Sequence, residues 1–101
     1  MRKFTIHVPI YDVYVDVIIG DKSLDQHTAG LVQVYANGAF KMRLADAKLN
    51  DLHNTVGHEI FHLVFHIMKR AGLQLSLETE EAFAHLTGFL HEEFYKKLKK
   101  K

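Results

Sequence analysis

Residues 52–70 read LHNTVGHEIFHLVFHIMKR, and this stretch decides how the chain is expected to fold. At 100° per residue its aliphatic side chains cover a broad arc, which predicts a largely buried helix that ends before Gly72. One narrow polar sector interrupts the arc and contains His58, Glu59, His62 and His66. The polar sector of an otherwise buried helix is therefore where we expect the chemistry of this chain.

The five residues from His58 to His62 form an H-E-x-x-H motif. Positions four apart on a helix lie about 40° apart around its axis, so His58 and His62 can offer two imidazoles to one metal ion. Glu59 lies about 100° from His58, where its carboxylate can touch a metal-bound water without becoming a ligand. The motif predicts a Zn²⁺ site in which Glu59 is the general base.

Composition excludes several classes of protein. A chain of 101 residues with 48% hydrophobic content fits one domain, residues 1–101. It has no cysteine, so disulfides, thiolate ligands and a cysteine nucleophile are excluded, and His, Asp or Glu must hold any metal. The sequence contains no signal segment and no bilayer-spanning apolar run, so we expect a cytoplasmic protein with no membrane partner.

The charge of the chain does not indicate a nucleic-acid partner. Its formal net charge is +1, which gives no general attraction to phosphate backbones. The basic run at residues 96–101 is expected to be the solvated end of a helix, where lysines complement the helix dipole.

The first half of the chain predicts a small sheet. Residues 4–19 are rich in Val, Ile and Tyr around Pro9, which indicates two strands or one bent edge strand. Residues 31–35 and 40–44 alternate on either side of Asn37-Gly38, which predicts a β-hairpin with a type I′ turn.

A second helix is predicted over about residues 78–97, where Phe83, Leu86, Leu90 and Phe94 recur at the helical period. The expected fold class is therefore α+β. An antiparallel-rich sheet, built from the N-terminal strands and the 31–44 hairpin, packs on two helices at about 52–70 and 78–97.

Catalytic zinc usually has three protein ligands, so two histidines leave the site incomplete. The second helix offers Glu78, Glu80, Glu81 and His85. Glu81 shares a side of that helix with Ala84 and Gly88, whose small size would let two helices approach closely. Glu81 is the favoured third ligand, and Glu80 is the alternative.

These motifs resemble those of the gluzincin branch of the zincin metallopeptidases. His58, Glu59 and His62 match the first motif, and the residues from Glu81 to Ala84 match the E-x-x-A form of the second. The segments from Gly57 to His62 and from Glu80 to Leu90 also resemble small predicted metallopeptidases that phages and prophages encode. The resemblance extends over about residues 54–92.

The resemblance implies a minimal zincin-like fold that cleaves peptides or proteins, with His58, His62 and Glu81 as zinc ligands. Many gluzincins have an aspartate four residues after the ligand glutamate, and this chain has His85 there. His85 is thus a candidate to orient His58, to join the metal shell or to donate to the oxyanion. His66 and Tyr95 are alternative oxyanion donors.

In zincins a sheet edge beside the metal helix aligns the substrate as an added strand. Residues 40–44 are the expected counterpart, with Phe40, Met42 and Leu44 as substrate-binding residues. We expect His66 to pack or hydrogen-bond near the site. The other histidines are expected to have surface or local hydrogen-bonding roles: His7, His27, His53 and His91.

Three functional classes remain open from the sequence. The first is a small zinc peptidase, and the second is a zinc-binding scaffold without useful catalysis. The third is an accessory protein without metal, in which the motif is only a buried polar cluster.

Overall fold

A computed structural model describes residues 1–25, 27–46 and 49–99, without the side chains of residues 49–51. The elements in chain order are β1 (Arg2–Val8), a 3-10 turn (Pro9–Tyr11), β2 (Val13–Ile19), β3 (Gly30–Val34), β4 (Phe40–Leu44), α1 (Leu49–Arg70) and α2 (Glu80–Lys99). The α+β prediction is confirmed, because a four-stranded sheet packs with two helices close to the expected positions. Lys100 and Lys101 of the basic run lie outside the described residues.

The sheet is mixed, with the strand order β1-β2-β4-β3. β1 pairs with β2 and β3 pairs with β4 in antiparallel fashion, whereas β2 and β4 are parallel, with Val15 opposite Phe40. This parallel pairing puts β4 inside the sheet and leaves β1 and β3 as its edges.

The inner position of β4 overturns one expectation. Phe40, Met42 and Leu44 were predicted to form the edge that aligns a substrate, and that prediction is wrong. β4 pairs with β2 on one side and β3 on the other. The three side chains are at most 1% exposed. The alternation of apolar and polar residues over 40–44 correctly predicted that one face of the strand is buried. It does not indicate how many other strands pair with it.

One apolar core lies on one face of the sheet. The register places alternate residues of all four strands on this face, including Ile6, Val15 and Met42. Both helices pack there: α1 lies against β3 and β4, and α2 lies against β1, where the rings of Phe4 and Phe94 meet edge-on with centroids 5.5 Å apart. This layering fixes which side of α1 faces the edge strand β3.

The hairpin between β3 and β4 is confirmed, but its predicted type I′ turn is wrong. The Gly38 N–H donates to the Tyr35 carbonyl oxygen at 2.9 Å, and the Tyr35 N–H donates to the Ala39 carbonyl oxygen at 2.9 Å. Within the described chain, Asp12 is the one non-glycine residue with positive φ, so Asn37 lacks the conformation that type I′ requires. The loop instead has three residues and closes on Gly38 at a φ of +86°.

Among the described residues, neither helix combines the length and the apolar character that crossing a bilayer would need.

Candidate metal centre

The two motif histidines converge on one point. His58 and His62 occupy successive turns of α1, and their Nε2 atoms lie 3.2 Å apart. Two imidazole nitrogens bound to one tetrahedral zinc at 2.0–2.1 Å would be separated by about 3.3 Å. The observed separation therefore fits a shared zinc ion, and the pair is open to solvent because the His58 side chain is 69% exposed.

Glu59 lies beside the histidine pair but is buried. Its side chain is 7% exposed, and Oε2 lies 3.9 Å from Nε2 of His58. Burial restricts the Glu59 side chain to few rotamers, so its carboxylate is held in place more firmly than that of an exposed glutamate.

Gly30, at the start of the edge strand β3, lies directly against Glu59. A Cβ atom at Gly30 would lie 2.7 Å from Cγ of Glu59 and 2.9 Å from Cγ2 of Thr55. Real Cβ atoms do not approach other carbons this closely, so only glycine lets the strand backbone rest directly on this turn of α1. Gly30 thus connects the sheet edge to the predicted general base.

A cavity of about 420 Å³ opens between this edge and α1. Its walls come from the segment before and at the start of β3 and from the first half of α1: His27, Thr28, Ala29, Gly30, Asn54, Thr55, His58 and Glu59. Its volume is within the range of small-ligand sites. The motif therefore borders a space that can admit a substrate group.

The loop that forms one wall of this cavity is tied to the sheet. Arg43 Nε donates to Asp21 Oδ2 at 2.6 Å, and the hydroxyl of Ser23 donates to Asp21 Oδ1 at 2.6 Å. These hydrogen bonds, the one from Arg43 foremost, hold the pKa of Asp21 far below its ordinary value. Further along, the His27 N–H donates to Asp25 Oδ1 at 2.8 Å.

α2 packs on the opposite flank of α1 from the histidine pair. Nδ1 of His53 and the hydroxyl of Tyr95 are 2.6 Å apart, so the side of α1 at His53 is the one that faces α2. His58 and His62 are five and nine residues further on, which places them about 140° and 180° around the helix from that side. Tyr95 is therefore not an oxyanion donor in this arrangement, and partial burial raises the pKa of its hydroxyl.

The structure does not bring the predicted third ligand to the pair. Glu80 and Glu81 are exposed at the start of α2. Among the side chains that the structure describes, in residues 1–25, 27–46 and 52–99, no group of three or more His, Asp or Glu is placed to hold a metal ion. Zinc ligation by Glu81 therefore stays a prediction, because the structure does not bring Glu81 together with His58 and His62.

His85 also lies away from the motif. It lines a separate apolar cavity of about 530 Å³, which α2 forms with the 3-10 turn and whose walls are Val8, Pro9, Ile10, Tyr11, Ala82, His85, Leu86 and Phe89. None of these residues borders the cavity beside Glu59. His66 is half-buried, and its ring meets that of Phe65 edge-on, with centroids 5.7 Å apart.

Two residues of the candidate site did not stand out in the sequence. Gly30 precedes an alternating strand, where a glycine can signal a close backbone approach. His27 lies in a polar loop without a period, and no local pattern relates it to residues 58–62. Its place on the wall of the motif's cavity is a tertiary property.

Comparison of the chain with family models, curated proteins and solved structures finds no match.

Proposed function

We propose that the protein is a cytoplasmic zinc-dependent hydrolase that uses the His58–His62 motif to cleave peptide bonds in its substrates. The 3.2 Å separation of the two Nε2 atoms, with the buried Glu59 carboxylate beside them, carries the proposal. Two converging imidazoles and an adjacent acid that is not itself a ligand are among the parts that metal-assisted hydrolysis needs.

In this proposal, His58 and His62 would hold a zinc ion, which would act as a Lewis acid towards the attacking water and the scissile carbonyl. Glu59 takes the proton from the attacking water and returns it to the leaving amide nitrogen. Gly30 packs directly against Glu59, and both residues line the cavity beside α1. A fixed acceptor of this kind reduces the reorganisation that proton transfer would otherwise require.

The edge strand β3 supports an extended peptide as the substrate. Ala45 N–H donates to the Ala29 oxygen, and Tyr35 N–H donates to the Ala39 oxygen, so alternate residues bond inward to β4. The backbone groups of Gly30, Val32 and Val34 then point away from the sheet. A peptide that adds to this edge as a further strand would pass Glu59 at Gly30.

A second candidate is a zinc-binding scaffold without catalysis. The described residues contain no three-residue cluster able to hold a metal, and His58 is largely exposed. An open site with two ligands suits metal-mediated attachment to a partner as well as it suits hydrolysis.

Glu59→Gln distinguishes the two candidates, because it removes the base and keeps the size of the side chain. If the protein is a hydrolase, zinc-loaded wild type cleaves members of a peptide library. The variant keeps its zinc and loses about 10²–10⁴-fold in kcat. Glu92→Gln, which changes an exposed glutamate of α2, is the matched control and should retain activity. If zinc-loaded wild type cleaves no peptide, the peptidase proposal is excluded and the zinc-binding scaffold remains.

A further inference from the structure

Two glycines of the hairpin formed by β3 and β4 each lie against a side chain of α1. Gly30 lies against Glu59, and Gly38, in the hairpin loop, lies against the guanidinium of Arg70. A Cβ atom at Gly38 would collide with Cζ and both Nη atoms of Arg70, and the φ of +86° at this position also favours glycine. The two contacts show that α1 runs beside β3 in the same direction, and that Arg70 lies at the far end of this edge.

Glu59 and Arg70 are on the same side of α1. Arg70 follows Glu59 by eleven residues, which is about 16 Å along the helix axis and only about 20° around it. An extended strand covers that distance in about five residues. A peptide that adds to β3 and passes Glu59 at Gly30 therefore reaches Arg70 about five residues further on.

The guanidinium of Arg70 is available to a ligand. The residue is exposed. Within the part of the chain that the structure describes, its side chain forms no ion pair and no hydrogen bond. A guanidinium offers a rigid fork of N–H donors that matches the two oxygens of a carboxylate. Arg70 can therefore bind a carboxylate without giving up a partner among the described residues.

The sequence around this edge offers few carboxylates that could compete for Arg70. Residues 27–45, which include β3, the hairpin loop and β4, contain no Asp or Glu, and Glu59 is the one acidic residue in the range 52–77. A peptide that carries a negative charge would thus meet a cation that the neighbouring elements do not neutralise, and such charge complementarity provides specificity.

Basic residues in the last turn of a helix also complement its dipole. Lys69 and Arg70 both occupy the last turn of α1, but they lie about 100° apart around the axis. The dipole does not account for the contact between the Arg70 guanidinium and Gly38. A ligand that runs along β3 would meet the guanidinium in that position.

We infer that Arg70 binds a carboxylate of the substrate and thereby selects peptides with a negative charge about five residues from the cleaved bond. The carboxylate belongs to an Asp or Glu side chain or to the C-terminus of the peptide. The inference rests on the proposed function, in which an extended peptide adds to β3. Arg70 determines specificity in this arrangement and takes no part in the reaction at Glu59.

Binding of three labelled peptides to metal-free protein tests the inference without cleavage. The peptides share one extended apolar sequence. The first has a glutamate near an amidated C-terminus, the second has glutamine at that position, and the third has the glutamine and a free C-terminus. Fluorescence anisotropy should show that at least one of the two charged peptides binds about fivefold or more tightly than the neutral one. The peptide that shows this gain identifies the source of the carboxylate, and added salt should reduce the gain.

Variants at two neighbouring cations supply the control. Arg70→Gln and Lys69→Gln each remove one positive charge from an exposed position. Arg70→Gln should abolish the preference for the carboxylate, whereas Lys69→Gln should keep it within about twofold of wild type. Arg70→Glu should reverse it, so that a peptide with lysine in place of the glutamate binds more tightly than the glutamate peptide. A merely structural role of Arg70 would not reverse the preference.

The outcomes separate the role of Arg70 from the proposed hydrolysis. The role of Arg70 is overturned if wild type binds none of the peptides or all three equally, or if Lys69→Gln alone loses the preference. Cleavage by zinc-loaded protein is measured separately, and mass spectrometry should place the acidic group about five residues from the cut. Cleavage without an Arg70-dependent preference would leave the proposed function standing. An Arg70-dependent preference without any cleavage would leave a carboxylate-binding site at β3 and exclude the hydrolase.

Discussion

A Cβ atom at Gly30 would lie 2.7 Å from Cγ of Glu59, so the edge strand and the predicted general base are in direct backbone-to-side-chain contact. This contact joins the two parts that the proposed reaction must align. The strand would hold an extended substrate, and the glutamate would act on the bond beside it. The position of Glu59 therefore depends on the absence of a side chain at residue 30.

Gly30→Ala should disturb the site and the fold together. The added methyl group meets Cγ of Glu59 and Cγ2 of Thr55, which are close to the helix backbone and yield poorly. Overpacking of this kind costs about 1–3 kcal/mol. We expect the free energy of unfolding, measured in urea, to fall by that amount, and peptide cleavage to fall at least about tenfold because Glu59 is displaced.

Gly88→Ala is the matched control. It adds the same methyl group within α2, where nothing lies within 4 Å of the added atom. Replacing a glycine inside a helix should stabilise the protein by about 0.5–1 kcal/mol and leave cleavage unchanged. A Gly30→Ala variant as stable and active as wild type would show that the contact with Glu59 is unimportant.

Val32→Pro should impair peptide binding while the sheet survives. The Val32 N–H points to the free edge, so proline removes a donor to the substrate and no hydrogen bond to β4. We expect KM for an extended peptide to rise about tenfold or more, with zinc affinity unchanged.

The matching variant for that experiment is Val32→Ala, which trims the same half-buried side chain and keeps the N–H. It should reproduce any loss of stability without the rise in KM. Equal KM values for the proline and alanine variants would mean that β3 does not align the substrate.

Tyr95→Phe should affect stability but not chemistry. The hydroxyl of Tyr95 bonds His53 on the flank of α1 away from the motif. Its loss should lower the free energy of unfolding by about 0.5–1.5 kcal/mol. Zinc affinity and cleavage rate should match wild type. A large fall in kcat without any loss of stability would place Tyr95 at the reacting groups and contradict the observed packing.

The interaction between Asp21 and Arg43 should make stability depend on pH. The pKa of Asp21 in the folded protein is lowered, so its ionised form stabilises the fold above the ordinary pKa of about 4 and this contribution falls as pH decreases towards the folded pKa. Asp21→Asn should therefore have a lower Tm than wild type at pH 7, and the difference should shrink below about pH 4. A Tm difference that stays constant from pH 7 to pH 2 would exclude this origin.

The helices and the hairpin could be predicted because their signals are local. The spacing of Ile60, Leu63, Val64 and Ile67 reports one buried side of α1 without reference to the rest of the chain. Asn37-Gly38 likewise marked the reversal between β3 and β4, although the exact turn depends on how the flanking strands pair.

The arrangement around the motif could not be read from the same signals. The parallel pairing of β2 with β4 joins strands separated by the whole of β3, and it alone decides that Phe40 is internal. Periodicity correctly grouped Glu81 with Gly88 on one side of α2. Periodicity does not predict on which side of α1 the helix α2 packs. The contact between His53 and Tyr95 shows that side.

The proposed zinc site can be tested by calorimetric titration of metal-free protein with zinc, in which wild type is compared with His58→Ala and His62→Ala. We expect one zinc ion per wild-type chain and binding at least about 100-fold weaker in each variant, because each removes one of the two converging imidazoles. Failure of wild type to bind zinc, or equal binding by wild type and both variants, would contradict the proposed zinc site.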